Sequence, residues 1–206
     1  MRYRTIHTLV CFLLLMAANI QADNLTQPVH LVACPVSISP GTGNFHFSEK
    51  TTFAVENEEQ AVEVRRFTAL LTRAAGFTPR IKVGNKKGDV CLTTDAGLKK
   101  EAYKLEITAK RINIHAADVQ GCLRNTAFPQ LLPAAIEGGQ VVTGIDWTVP
   151  AVTITDQPRF GYRGLLVDVA RFFSPKENLL RIIDCMAMLK LNTLHFHLTD
   201  DNGWRI

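Results

Sequence analysis

Two apolar runs that flank one amphipathic stretch near the C-terminus constrain this chain more than any other feature. Leu165-Leu-Val-Asp-Val-Ala170 is almost unbroken in its apolar character, as a parallel strand covered on both faces requires. Ser174-Pro175-Lys176-Glu177 reads as a capping box with proline at the first helical position, where its missing N–H costs nothing. Leu179, Ile182, Ile183 and Met186 then recur at helical spacing until about Lys190, and Thr193 to Leu198 supplies a second strand. Strand, crossover helix and strand in this order predict a right-handed βαβ unit, the building step of open doubly wound sheets and of closed barrels alike. Two strands complete neither, so the expectation is an architecture broken off early.

The grammar before Asp156-Gln-Pro-Arg-Phe160 is different. Residues 28–53 are rich in Pro, Gly, Ser and Thr with scattered apolar positions, which suits short strands joined by turns. Asn57 is placed to cap a helix, Glu58 and Glu59 fall in its positive first turn, and Val64, Phe67, Leu70, Leu71 and Ala74 mark a buried face that Gly76 ends. Ile81–Val83 and Val90–Leu92 are short strand candidates. Tyr103, Leu105 and Ile107 alternate with polar residues, as do Ile112, Ile114 and Ala116, so 103–116 predicts a half-buried hairpin. Pro129 and Pro133 limit 125–136 to broken helical turns, and Val149–Ile154 gives a last strand. Strands and helices without regular βα alternation indicate an α+β domain over 23–157, with the barrel-like unit over 158–206.

The first 22 residues have the layout of an export signal: Arg2 and Arg4, an apolar run from Leu9 to Ala18, and a small residue, Ala22, at the cut site. About ten apolar residues are too few to span a bilayer, so stable membrane insertion is not expected, and the mature chain should begin near Asp23 in a periplasmic, extracellular or other secretory compartment. Leu31-Val-Ala-Cys34 resembles a lipoprotein cleavage box, but polar residues separate it from the apolar run. Removal of the signal takes the formal net charge from +4 to +2, since Arg2 and Arg4 leave and no acidic residue goes with them. Lys86-Lys87 and Lys99-Lys100 are short pairs without interleaved aromatics, which argues against a nucleic-acid partner. Cys34, Cys91, Cys122 and Cys185 remain after the cut. They contain no C-x-x-C spacing, and a chain with 47% hydrophobic residues does not need staples, so mostly buried free thiols are expected.

In a βα barrel the C-terminal ends of the strands face the active site, which singles out Asp168 and Arg171 after the first run and His197, Thr199, Asp200 and Asp201 after the second. An arginine fork matches paired oxygens, and a carboxylate beside a tryptophan such as Trp204 is a common way to hold a polar ring with an apolar face. Asp168 and Arg171 could equally satisfy each other and cap their loop. His195-Phe-His197 places two imidazoles on one side of a strand, compatible with a metal site or with structural histidines; with no third His between them and His115, no metal is expected. Asp200 and Asp201 are neighbours and point to opposite sides, so they cannot be the paired carboxylates of a retaining glycosidase; one should hold a His or Arg and the other cap the loop.

Taken together, Pro158-Arg-Phe160, Arg163-Gly-Leu-Leu-Val-Asp-Val-Ala-Arg171, Met188-Leu-Lys-Leu-Asn192 and Leu194-His-Phe-His-Leu-Thr-Asp-Asp-Asn-Gly-Trp-Arg205 resemble the opening of the barrel of family 20 glycoside hydrolases, the β-N-acetylhexosaminidases. Glu101-Ala-Tyr103-Lys-Leu105, Ile112-Asn-Ile114-His-Ala116, Gly121 and Gln130-Leu-Leu132 are similar to the α+β domain that precedes that barrel. The resemblance implies a TIM barrel, N-acetylhexosamine-terminated glycans as substrate and no cofactor. It also implies retaining hydrolysis in which the substrate's own acetamido oxygen attacks the anomeric carbon. It assigns Arg163 to the hydroxyls of the terminal sugar, with Asp168, Arg171, Asn192, His197, Asp200, Asp201 and Trp204 lining or supporting the same pocket. The chain departs from the family in having Phe172 where a His is usual and Asn125 in place of a second Gly. It also contains no Asp-Glu dipeptide, the family's catalytic pair. The expectation is therefore the N-terminal portion of an exported hexosaminidase, inactive alone. The alternatives are a stand-alone carbohydrate- or protein-binding module and a metal-dependent barrel hydrolase.

Overall fold

The structure, a computed structural model, describes Val29 and residues 31–85, 87–118, 123, 126–201 and 203–204. The expected signal at 1–22, together with Gly121, Cys122, Asn125 and Arg205, lies outside the described residues.

Seven strands form one mixed sheet: β1 (Ser37–His46), β2 (Thr52–Val55), β3 (Arg80–Val83), β4 (Val90–Thr94), β5 (Tyr103–Ile107), β6 (Ile112–Ala116) and β7 (Thr148–Asp156), in the order β1-β7-β5-β6-β4-β2-β3. The hairpin expected over 103–116 is present, β5 and β6 pairing antiparallel from Tyr103 opposite Ala116 to Ile107 opposite Ile112. Its alternation puts Tyr103, Leu105, Ile107, Ile112, Ile114 and Ala116 in the core, each no more than 3% exposed. The segment before residue 53 differs from expectation. Instead of several short strands it supplies one long strand, β1, whose register against β7 slips between Pro40 and Asn44, and then β2. The bulge lets one strand run the whole length of β7 while its two halves bend apart.

β2 is the hinge of the sheet. All four of its residues are buried, and it pairs parallel with both β3 and β4. The crossover from β2 to β3 is the helix α1 (Glu58–Ala75). The capping signals act as read: the Asn57 side chain accepts from the Gln60 N–H, Glu58 and Glu59 occupy the first turn, and Gly76 closes the helix at φ 78°, donating its N–H to the Thr72 carbonyl. Val64, Phe67, Leu71 and Ala74 face the sheet; Leu70 lies on the solvent side. Residues 125–136 yield two short 3₁₀ turns, Phe128–Leu131 and Ala134–Gly138, consistent with the two prolines. An aromatic chain ties these elements together. Phe45 meets Phe47 edge-on at 4.9 Å, Phe47 meets Phe128 at 6.1 Å, Phe128 meets Phe67 at 5.2 Å and Phe67 meets Phe53 at 6.0 Å. Such pairs contribute about 0.5–1.5 kcal/mol each beyond the area they bury.

After the sheet domain the expected βαβ unit forms. β8 (Gly164–Asp168) pairs parallel with β9 (Thr193–His197), and α2 (Lys176–Met188) connects them. Thr199–Asp200 (β10) and Gly203–Trp204 (β11) make a minimal antiparallel hairpin at the top of β9. Two expectations are corrected here. The capping box does not form: Pro175 is the cap itself, at extended φ −65° and ψ 155°, and makes no side-chain capping bond. Its carbonyl accepts the first helical N–H groups, from Asn178 at 3.0 Å and Leu179 at 3.3 Å, so Ser174 stands one residue too early to cap. Nor is β8 covered on both faces. With β9 as its one strand neighbour among the described residues, Leu165 is 39% and Leu166 54% exposed, while Ile183 and Phe196 are also solvent-facing. Within α2 only Met186 is buried, Leu179 and Ile182 being intermediate. Cys34 and Cys185 are free thiols but exposed, and among the described cysteines Cys91 is the buried one, its Sγ 3.3 Å from the Gly88 carbonyl, which corrects the expectation of mostly buried thiols.

Two outcomes test this architecture. A Cβ on Gly88 would lie 2.8 Å from the Thr52 carbonyl oxygen and 3.0 Å from the Ala54 nitrogen, both backbone atoms of β2. Gly88→Ala should therefore lower the unfolding free energy by about 1–3 kcal/mol, read from denaturant midpoints, and an unchanged midpoint would show that β2 and β4 part freely. The bare apolar face around β8 and α2 predicts that a 23–206 polypeptide aggregates at concentrations where 23–157 stays monodisperse. Equal solubility by light scattering, with cooperative unfolding of both, would contradict the domain boundary.

Candidate functional site

At the C-terminal ends of β8 and β9 the charged residues converge, and the backbone explains how. The chain turns sharply after Asp168, whose Oδ1 accepts the N–H groups of Ala170 and Arg171, each at 3.1 Å. Its Oδ2 accepts from Arg171 Nε at 2.5 Å. The second of the two readings for this pair is thus partly met: Asp168 and Arg171 satisfy one another and cap the loop. They do not do so alone. Asp200 Oδ2 lies 3.6 Å from Arg171 Nε and 3.5 Å from His197 Nε2, and His197 Nδ1 lies 3.9 Å from Asp168 Oδ2. His197 Nε2 is 2.8 Å from the Thr199 carbonyl, which can only accept, so this nitrogen is the donor.

Asp200 is therefore the carboxylate that holds both an Arg and a His, as anticipated for one member of the acidic pair. Asp201 occupies the turn of the β10–β11 hairpin and donates its own N–H to Asp200 Oδ1 at 2.7 Å, so it is the capped residue rather than the capping one. Trp204, across the hairpin from Thr199, is 75% exposed with its indole free to meet an incoming ring.

Asp168, Asp200 and Arg171 are held in their charged forms. Asp168 is held below the ordinary carboxylate range, first by the Arg171 backbone N–H and then by the Arg171 guanidinium and His197. Asp200 is lowered by hydrogen bonding with Asp201, side chain before backbone, and then by the charges of Arg171 and His197. Arg171 is raised in turn by the hydrogen bond and charge of Asp168. A general acid near neutral pH needs a carboxyl pushed up by burial or a like charge. Asp168 and Asp200 are driven the other way, so neither is tuned as a general acid near neutral pH.

Arg163 and Asn192 stand at the opposite ends of the same strands. The expectation that all these residues line one end of the pocket is corrected: roughly 15 Å, the length of a five-residue strand, divides them from the Asp168–His197 cluster. Asn192 Oδ1 accepts the Arg163 N–H at 3.0 Å and its Nδ2 donates to the Gly161 carbonyl at 2.8 Å, pinning the entry of β8 to that of β9. The Arg163 side chain is 16% exposed. Its Nε donates to the Lys190 carbonyl and its Nη1 to the Phe160 carbonyl, each at 2.7 Å, while Nη2 pairs with Glu101 of the sheet domain. Lys190 returns to that domain through Asp156 at 3.1 Å and lies 5.3 Å from the centre of the Tyr103 ring. Glu101, Asp156 and Lys190 went unnoticed in the sequence because no local spacing links them to Arg163.

Two cavities of about 550 and 500 Å³ flank this junction, and Glu101 lines both. Neither touches the cluster at the strand tops. Among the described residues no group of three or more His, Cys, Asp or Glu side chains is arranged to hold a metal ion; His195 is exposed on the same strand as His197.

Comparison with known proteins finds matches over most of the chain. The sequence family described as glycosyl hydrolase family 20, domain 2, matches residues 31–157, and the one described as glycosyl hydrolase family 20, catalytic domain, matches 160–206. A β-hexosaminidase of Porphyromonas gingivalis is 32% identical over 95% of this chain, which spans about a quarter (26%) of that relative. An N,N'-diacetylchitobiase of Vibrio harveyi is 31% identical over 89% of the chain and 20% of its own length. Among solved structures, an N-acetyl-β-hexosaminidase of Streptomyces plicatus superposes with a TM-score of 0.76 at 31% identity, covering 85% of this chain and 35% of that one.

The strand-top network makes a titration prediction. The folded pKa of Asp168 lies below its ordinary value near 3.8, so the stabilisation it supplies is complete above that value and is lost as the pH falls toward the lowered one. Carboxyl carbon NMR should give an Asp168 midpoint below 3.8, and Arg171→Ala should move it upward. A midpoint unmoved by that substitution would show that the Arg171 guanidinium does not sense Asp168.

Proposed function

Because the chain belongs to glycoside hydrolase family 20, we propose that it forms the α+β domain and the opening strands of an exported β-N-acetylhexosaminidase, an enzyme that removes terminal N-acetylhexosamine from glycans. The observation that carries this reading is order. A match to the family's second domain ends at residue 157, a match to its catalytic domain begins at residue 160, and the strand tops of that second segment gather Asp168, Arg171, His197 and Asp200.

The sugar site in this reading lies at the strand tops, where the Asp168–Asp200 network and Trp204 gather and where a terminal N-acetylhexosamine would meet an arginine fork and an aromatic face. Arg163, bonded at Nε, Nη1 and Nη2 at the strand bottoms, holds the two domains together rather than touching the sugar. Solved relatives are consistent with such a ligand: the Streptomyces plicatus enzyme is known with product N-acetylglucosamine, and an exo-β-N-acetylglucosaminidase of Vibrio harveyi is known with N-acetylglucosamine.

Hydrolysis proceeds with retention. The acetamido carbonyl oxygen of the substrate attacks the anomeric carbon as the glycosidic bond breaks, an acidic side chain protonates the departing oxygen, and water then opens the cyclic intermediate. Asp168 and Asp200 are unsuited to that protonation, and the 206 residues contain no Asp-Glu pair, so these residues do not catalyse the reaction by themselves. Export by the 1–22 signal fits the packing at the start of the domain. Val29 and Leu31 lie against the core, and Val32 exchanges hydrogen bonds with the Gln130 side chain. Cleavage before Cys34 would remove these contacts, which favours a mature start near Asp23 over lipidation.

Purified 1–206 protein should release no sugar from an aryl N-acetyl-β-glucosaminide above background. The full-length enzyme carrying this segment should hydrolyse that substrate and lose at least about a hundredfold of its rate on the aryl β-glucoside, which lacks the acetamido nucleophile. Comparable rates on both glycosides would eliminate the substrate-assisted route, and turnover by the 206 residues alone would eliminate the assignment of catalysis to other residues.

A further inference from the structure

One carboxylate holds the loop that follows β8 in two ways. Asp168 Oδ1 accepts the backbone N–H groups of Ala170 and Arg171, each at 3.1 Å, and Oδ2 accepts Arg171 Nε at 2.5 Å. The backbone between the two residues is fixed as well. Val169 donates its N–H to the His197 carbonyl at 3.1 Å, and Val169 and Ala170 are 3% and 0% exposed. The root of the Arg171 side chain is thus set by the end of β8, independently of what its guanidinium meets.

With Oδ1 committed to the loop, Asp168 meets the guanidinium through a single oxygen, and it does so at Nε. Arginine and carboxylate frequently pair through two parallel N–H bonds, which would occupy a second nitrogen of the fork. Asp200 also approaches Nε, at 3.6 Å, rather than the terminal nitrogens. Four of the five guanidinium N–H groups belong to Nη1 and Nη2, and among the described residues they meet no acceptor. The Arg171 side chain is 58% exposed where that of Asp168 is 19% exposed, so the guanidinium is held by its inner nitrogen and open along its outer edge.

We infer that Asp168 is a positioning residue for substrate: by shaping the loop through one oxygen and gripping Nε through the other, it aims the terminal nitrogens of Arg171 at the hydroxyls of the terminal sugar. The inference rests on the reading that an arginine fork at the strand tops binds that sugar. Asp168 itself touches no substrate atom in this arrangement and acts through Arg171. A guanidinium fixed at Nε before the sugar arrives loses little freedom on binding, and its outer N–H groups already point where paired hydroxyl oxygens would sit.

The test uses the full-length enzyme carrying this segment, with kcat and KM measured on an aryl N-acetyl-β-glucosaminide and the inhibition constant of N-acetylglucosamine measured beside them. Asp168→Asn separates the two tasks of the carboxylate: its amide oxygen can still accept the loop N–H groups, while its amide nitrogen, a donor, opposes Arg171 Nε. This variant should lower kcat/KM on the order of 10- to 100-fold, the scale of a misplaced binding group, and weaken inhibition by N-acetylglucosamine in step, with the unfolding midpoint little changed. Combined with Arg171→Ala it should be no worse than Arg171→Ala alone, because Asp168 acts only through that side chain. Full activity in Asp168→Asn beside an impaired Arg171→Ala would overturn the positioning role and leave the sugar reading standing. Multiplying losses in the double variant, or a loss with the inhibition constant unmoved, would overturn it as well. Full activity and unchanged inhibition in Arg171→Ala would defeat the strand-top reading, and the inference with it. Should Asp168→Asn fail to fold, Asp168→Glu retains the charge one methylene further out; a partial loss confined to kcat/KM and the inhibition constant supports the role, and unchanged values refute it.

Discussion

A single guanidinium joins the two parts of this chain. Arg163 stands where the seven-stranded sheet gives way to the βαβ unit, and its three bonds reach the loop before β8, the turn after α2 and the sheet domain itself. Removing one partner from a shielded ion pair typically costs about 3–5 kcal/mol, because the other charge is left without compensation. The Lys190–Asp156 pair runs beside it with side chains 13% and 15% exposed. Two such pairs act as a register device. An apolar joint of similar size would be as stable but could slide, whereas a fork and a carboxylate meet in few ways. The strand tops thus inherit their placement from a contact made at the strand bottoms.

The sequence made the elements legible wherever a local rule had no competitor. Asn57, the acidic first turn and Gly76 mark α1 because capping is decided within four residues, and the alternation in β5 and β6 follows from a sheet with one buried face. Where tertiary pairing decides, the reading was coarser. The slip in β1 depends on β7, more than a hundred residues later, and nothing in 37–46 alone says that the strand continues through it. Ser174 failed as a cap because Pro175 took the extended conformation that ends one chain segment and begins another, a difference of one residue that composition does not register.

The candidate site divides along the same line. Asp168, Arg171, His197 and Asp200 could be grouped in advance because parallel strands fix which ends face together. The grouping of Arg163 and Asn192 with them came from family resemblance, and it merged two ends of the strands that the structure separates. Glu101 was invisible as a partner: it stands 62 positions before Arg163, and left-handed backbone at a glutamate leaves no mark in the sequence as it does at a glycine.

That backbone bears on how the two parts of the chain are joined. A left-handed conformation at a residue with a Cβ costs about 1–2 kcal/mol, and the junction contains two such residues on opposite sides of one arginine. A glycine at either position would relieve the strain, but at 101 it would also delete the carboxylate that holds Nη2. At 190 it would delete the ammonium group tied to Asp156 and stacked near Tyr103. The strain sets the angle at which each side chain leaves the backbone, and with it the direction from which Arg163 is gripped. The physical cost and the geometry it secures fall on the same two residues.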